Sequence, residues 1–165
     1  MFAALCLLAL PARASESLCP GLEDAMARAP GHGDREVFLS NYTKHWTYSS
    51  EHKPVRAFSM QQGLVDHRFC GLSLFTNSFG QPSIYLYTGK AWPGIVPEVP
   101  GLFASLSAGL LYGYVNSYKN KVPLNVSGFS PAIVPAVGYQ ITPQLAVQTQ
   151  WLGLAAVMIG ASWRY

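Results

Sequence analysis

From Gly101 to Tyr165 only Lys119, Lys121 and Arg164 carry charge. A water-facing surface over such a span needs far more, because soluble domains carry roughly 25% charged residues. The whole chain holds 12%, and all its acids lie between Glu16 and Glu98. A net charge of +3, thinly scattered, excludes a nucleic-acid partner. A hydrophobic content of 50% excludes disorder. Lipid is the solvent that fits such a surface. Yet no apolar run reaches the roughly 18–20 residues of a membrane helix. The longest in the body of the chain, Trp151–Ala161, is too short and contains glycines. A closed β-barrel is the remaining way to satisfy every backbone group in hydrocarbon.

Barrel strands alternate lipid-facing apolar residues with small or polar lumen-facing ones over about 10 residues. In the last segment Ala155, Val157, Ile159, Ala161, Trp163 and Tyr165 share one face. Ala156, Met158, Gly160, Ser162 and Arg164 share the other. Residues 145–151 repeat the pattern after a Thr142-Pro143 turn. So do residues 102–115, with Leu102 to Tyr114 outward on even numbers and Ser105, Ser107, Gly109 and Gly113 inward. Further strands are predicted at 38–48, 55–63, 68–77, 83–92 and 131–140, which makes eight. Eight strands with turns need roughly 120–130 residues, so residues 38–165 suffice for an all-β, eight-stranded antiparallel transmembrane β-barrel. A secreted sandwich would also alternate, but its solvent face would carry more charge.

Phe2–Leu10 followed by Pro11-Ala12-Arg13-Ala14 reads as a secretory signal spanning residues 1–14. Residues 15–37, holding Glu16, Glu23, Asp24, Arg28, Asp34 and Arg35, read as a water-exposed N-terminal periplasmic segment. A short amphipathic helix fits around Leu22 and Met26 and is broken by Pro30-Gly31. The expected location is a bacterial outer membrane. Cys19 and Cys70 then lie on the periplasmic side, as a disulfide or as two thiols. His45, His52 and Glu51 lack zinc-ligand spacing, and no metal or cofactor is required.

An eight-stranded barrel is about wide enough for its own side chains or one small ligand, so it is no porin. Loops after odd-numbered strands face outward from the cell. That brings Asn77-Ser78, after the third strand, to the same rim as His45 and His52, with His67 at the opposite end. A hydroxyl beside a base is the equipment of acyl transfer. Pro131 and Pro135 interrupt the sixth strand and cannot donate to the ladder, which predicts a locally unzipped seam open to lipid.

These segments resemble the outer-membrane lipid A palmitoyltransferases of the PagP type. Leu72 to Trp92, with Phe75-Thr76-Asn77-Ser78 and Gln81-Pro82, resembles the family's third strand, catalytic loop and fourth strand. Pro131 to Tyr139 resembles its proline-interrupted strand. The resemblance implies a monomeric enzyme that moves a palmitoyl chain from a phospholipid donor to lipid A. It implies a catalytic histidine at His45, beside Trp46, or at His52. It implies Ser78 in the catalytic loop, Gly89 as the floor of an acyl-chain pocket, and Pro131 and Pro135 as a lateral gateway. The family has an Asp-Ser pair where this chain has Asn77-Ser78. Without the carboxylate, Asn77 would polarise a carbonyl or position Ser78 by hydrogen bonding. Two other readings remain: a lipid A deacylase, and a non-catalytic adhesin or structural barrel with a polar, filled interior.

Overall fold

The computed structural model describes residues 18–28 and 34–165. The signal sequence, the Pro30-Gly31 break and His32 lie outside the described residues. A short helix α1 (Leu22–Ala27) precedes eight strands: β1 (Arg35–His45), β2 (Ala57–Gly63), β3 (Arg68–Thr76), β4 (Pro82–Pro93), β5 (Leu102–Tyr112), β6 (Phe129–Gln140), β7 (Leu145–Leu152) and β8 (Ala156–Arg164). Each strand pairs antiparallel with the next, and β1 pairs with β8 to close the barrel. Closure gives every strand a paired neighbour on both sides, which is what hydrocarbon demands.

The alternation sorts the residues as period 2 requires. Leu39, Leu86, Leu110, Ile133, Val147 and Ile159 lie exposed on the outer face. Met158, Ser162, Ser107, Ala136 and Gln148 are buried inward. Trp92, Tyr139 and Trp163 stand near the end of the barrel that carries the termini. Tyr112 and Phe129 mark the other end, paired across β5 and β6. An apolar band between aromatic girdles faces lipid.

Several strand boundaries differ from the sequence reading by one to three residues, and two of the differences carry consequences. The barrel starts at Arg35 rather than residue 38, so the N-terminal segment is shorter. Glu36, inside the stretch 15–37 read as water-exposed, is a buried β1 residue that faces the lumen. Arg164 Nε donates to its Oε2 at 2.8 Å, and Gln61 Nε2 donates to Oε1 at 3.3 Å. A lumen charge is tolerated because its partners arrive from β2 and β8. At the other end of its range, β5 stops at Tyr112 and not at residue 115, because Gly113 takes φ +140°.

Helix α1 sits at the terminal end against β2. The Arg35 guanidinium donates to the carbonyls of Met26 and Arg28 and to Gln62 Oε1. Of the two states left open for the cysteines, the structure has the bond: Cys19 is joined to Cys70 on β3. The segment is therefore tied to the barrel wall both covalently and by hydrogen bonds.

Candidate active site

The rim opposite the termini gathers the loops after β1, β3 and β5 and the tight turn after β7. His45 reaches it through an irregularity in β1. The β1–β8 register shifts by one residue between Leu39 and Tyr42. Before the shift, Glu36, Phe38 and Ser40 face inward. Beyond it the parity reverses, and Thr43 and His45 face inward opposite Met158 and Ala156. Ser40 Oγ donates to the Ile159 carbonyl at 2.6 Å within the bulge. Without this extra residue His45 would stand on the lipid face with Val37 and Leu39.

His45 Nε2 lies 2.7 Å from Ser78 Oγ. His52 does not share that bond; its ring stacks on His45 with centroids 4.1 Å apart and an interplanar angle of 26°. Phe79 meets His52 edge-on, so the two imidazoles are packed rather than free. Both sequence candidates come to the same place, with His45 in contact with the hydroxyl and His52 behind it.

Asn77 has a different role from one the sequence allowed. It is buried, with 1% exposure. Its Oδ1 accepts from the Phe79 and Gln81 backbone N–H groups, at 3.0 Å each. Its Nδ2 donates to the Gly113 carbonyl at 3.1 Å and to Gln81 Oε1 at 3.2 Å. Both amide hydrogens are spent inside the protein, so Asn77 cannot polarise a substrate carbonyl. It is a positioning residue that ties the Ser78 loop to the loop after β5. Gln81 extends the tie, since its side-chain amide both accepts from the Val115 N–H and donates to the Val115 carbonyl. A carboxylate at position 77 could not donate either bond, a local reason for the amide.

The same loop exposes a residue the sequence reading placed outward. Gly113, in its left-handed conformation, has no room for a Cβ beside Ser83. The turn it makes swings Tyr114 inward, where it lines the lumen cavity together with Ser78. Burial pushes the Tyr114 phenol up from its ordinary range, partly offset by the neighbouring Ser78, so it stays a neutral hydroxyl. The signal available in the sequence was the glycine at the end of a strand pattern. The loop amides leave little else to donate: the Phe79 N–H goes to Asn77 Oδ1 and the Gly80 N–H to the Asn77 carbonyl.

Ser78 and Tyr114 border a lumen cavity of about 680 Å³. That is within the roughly 300–1,000 Å³ of small-molecule sites. Near Ser78 its wall is apolar, with Phe38, Val55, Ala57 and Met158 forming a buried cluster against Phe75 and Leu152. At the terminal end it meets the Glu36–Gln61–Arg164 network. Gly89 does not border this cavity. It pairs with Phe69 across β3 and β4, and the Phe69 ring covers the space a Cβ would fill. Phe69 and Tyr87, edge to face at 6.1 Å, line the cavity instead. Gly89 is therefore not the exposed floor the resemblance implied; it makes room for the Phe69 ring, which lines the cavity in its place.

The cavity also reaches the wall. β6 pairs with β5 along its whole length, but with β7 only from Ala136 to Gln140. Phe129 to Pro135 have no β7 partner. The Gln140 N–H donates toward β5, to Gly101, so even-numbered residues of β6 face β5 and odd-numbered ones face β7. Pro131 and Pro135 therefore stand where the β7 ladder would need donors. Pro131 and Ile133, though outward on β6, border the cavity along with Leu152 to Ala155 across the gap. On the opposite side Tyr85 and Ser107 donate to the Ala132 and Val134 carbonyls, bracing β6 onto β5.

No family model and no curated protein matches the chain. Among solved structures it is similar to a de novo designed transmembrane β-barrel, with a TM-score of 0.56 and 18% identity over 84% of this chain and 98% of that one. The fold is that of the small transmembrane barrels. The outer-membrane protein Ail of Yersinia pestis, in a phospholipid nanodisc, aligns with a TM-score of 0.48 and 13% identity over 81% of this chain and 100% of that one.

Proposed function

We propose that this protein is an outer-membrane acyltransferase that moves a palmitoyl chain from a phospholipid to lipid A. The observation that carries the reading is the 2.7 Å contact between His45 Nε2 and Ser78 Oγ at the mouth of an apolar-walled cavity. A donor lipid enters sideways through the β6–β7 gap and its acyl chain occupies the lumen. His45 takes the Ser78 proton as Oγ bonds to the ester carbonyl carbon. The carbon–oxygen bond to glycerol breaks, and His45 returns the proton to the departing lysophospholipid. An acceptor hydroxyl then gives its proton to His45 and attacks the acyl-serine, and Ser78 recovers its proton as the ester of the acceptor forms. The neutral Tyr114 hydroxyl, on the same cavity wall as Ser78, serves as a donor to the developing oxyanion. His52 holds the His45 ring by stacking. No cofactor takes part, and the barrel works as a monomer.

The test is mass spectrometry of lipid A from cells with and without the protein. A gain of one palmitoyl unit that vanishes in Ser78→Ala and in His45→Ala, with both variants still folding as heat-modifiable barrels, supports the reading. Unchanged lipid A overturns it, and a loss of acyl mass points to a deacylase. Activity surviving His45→Ala but not His52→Ala would exchange the histidine roles. A non-catalytic barrel calls for a filled lumen, against which the cavity weighs.

A further inference from the structure

Charge is divided unequally between the two ends of the barrel. The Ser78 rim carries Lys44, Lys53, Arg56, Lys119 and Lys121, all exposed, against a single acid, Glu51. Among the described residues, the other acids lie at the terminal end: Glu23, Asp24, Asp34, Glu36, Asp66 and Glu98. Two of the rim cations are held in place rather than merely nearby. The Lys53 backbone N–H donates to the Ser78 carbonyl at 2.8 Å. Its side-chain stem lies over Gly80, where φ is +79° and a Cβ would meet Lys53 Cδ at 2.8 Å. On the other side, Lys121 Nζ stands 5.4 Å above the Phe79 ring. Lys121 also borders the cavity and reaches Glu51 at 3.9 Å. Two ammonium groups thus flank Ser78 and its two following residues, with one exposed carboxylate to share.

We infer that Lys53 and Lys121 form a two-pronged phosphate clamp for the acceptor, a glycolipid bearing phosphates at the outer rim. This rests on the acyl-transfer reading and names what that site recognises. The clamp belongs to the acceptor and not the donor for a geometric reason. The donor's chain lies in the lumen and its entry gap is between β6 and β7, whereas Lys53 stands on the loop after β1 and Lys121 on the loop after β5. Glu51 keeps Lys121 oriented when the site is empty, and a phosphate displaces that exposed pair at little cost. Lysine suits the task, since an ammonium binds phosphate as a point charge from several directions.

The experiment measures binding of full-length, refolded protein to lipid A with both phosphates, to the same lipid A after phosphatase treatment, and to phosphatidylglycerol, all in mixed micelles. It is run on the Ser78→Ala background so that turnover plays no part. The double variant Lys53→Gln, Lys121→Gln is expected to bind intact lipid A about tenfold more weakly. Phosphatase treatment is expected to produce the same loss in the parent and none beyond it in the variant. Phosphatidylglycerol binding stays unchanged. Lys44→Gln and Lys119→Gln, made together, control for bulk rim charge and leave binding within about twofold. Equal losses in the two double variants would overturn the clamp, as would a loss confined to phosphatidylglycerol. Because binding is read without catalysis, absence of acyl transfer in cells would sink the enzymatic reading while leaving this result standing.

Discussion

Restoring an acid beside Ser78, Asn77→Asp, separates the resemblance from the structure. If position 77 worked as a catalytic carboxylate, the change would raise activity. The hydrogen bonds point the other way. Aspartate keeps the two bonds accepted from Phe79 and Gln81 but loses both that Nδ2 donates. Each lost bond costs about 1 kcal/mol, and the Gly113 carbonyl left facing an oxygen adds about 1–3 kcal/mol. The loop is then weakened by about 3–5 kcal/mol, which raises the open population at least about 100-fold. Hydrogen exchange at the Phe79 and Gln81 amides, in protein refolded into lipid vesicles, reads this directly. The new carboxyl is buried against two carbonyl oxygens, so its folded pKa lies above the ordinary ~3.9. A raised folded value makes the deficit full above that pKa and smaller as pH falls through it, because the protonated acid can donate one bond again. Exchange should thus be faster than in the parent at pH 8, with the gap narrowing toward pH 5 after correction for intrinsic rates. Protection equal to the parent at pH 8, or higher Ser78-dependent activity, would refute the positioning role.

Deleting Asn41 should remove the β1 bulge and turn His45 onto the lipid face. The barrel should still form, with acyl transfer lost, and a deletion variant with parental activity would contradict the parity argument. Cys70→Ser opens a loop closed over a sequence separation of 51, worth about 4 kcal/mol in the chain-entropy account. Urea titration should show a loss of that order, and limited proteolysis should newly cleave around Leu18–Arg28. Tyr114→Phe should lower transfer about tenfold while leaving the pH profile between 6 and 9 unchanged, because burial already keeps that phenol neutral. A shifted profile would mean that Tyr114 exchanges a proton during turnover.

Much of the barrel was legible because lipid imposes a period of two. β5, β7 and β8 read out face by face from Leu102, Val147 or Ile159 against Ser107, Gln148 or Met158. The proline seam was legible for a similar reason, since a residue without an N–H stands out in any strand. The meeting of Ser78 with a histidine at one rim followed from counting strands. The details of the site did not follow. His45 faces the lumen only because one residue is added to β1, and that addition has meaning only against the register of β8. Tyr114 turns inward through the left-handed φ of Gly113, which reverses the parity that alternation assigns. Gly89 is covered because pairing sets Phe69 beside it, and Asn77 is committed in part by the Gly113 carbonyl, 36 residues away in the chain. Alternation is a local property, written by the solvent on each face, and so a single strand declares it. Register, bulges and cross-loop hydrogen bonds are agreements between segments distant in the chain, and only closure of the barrel decides them.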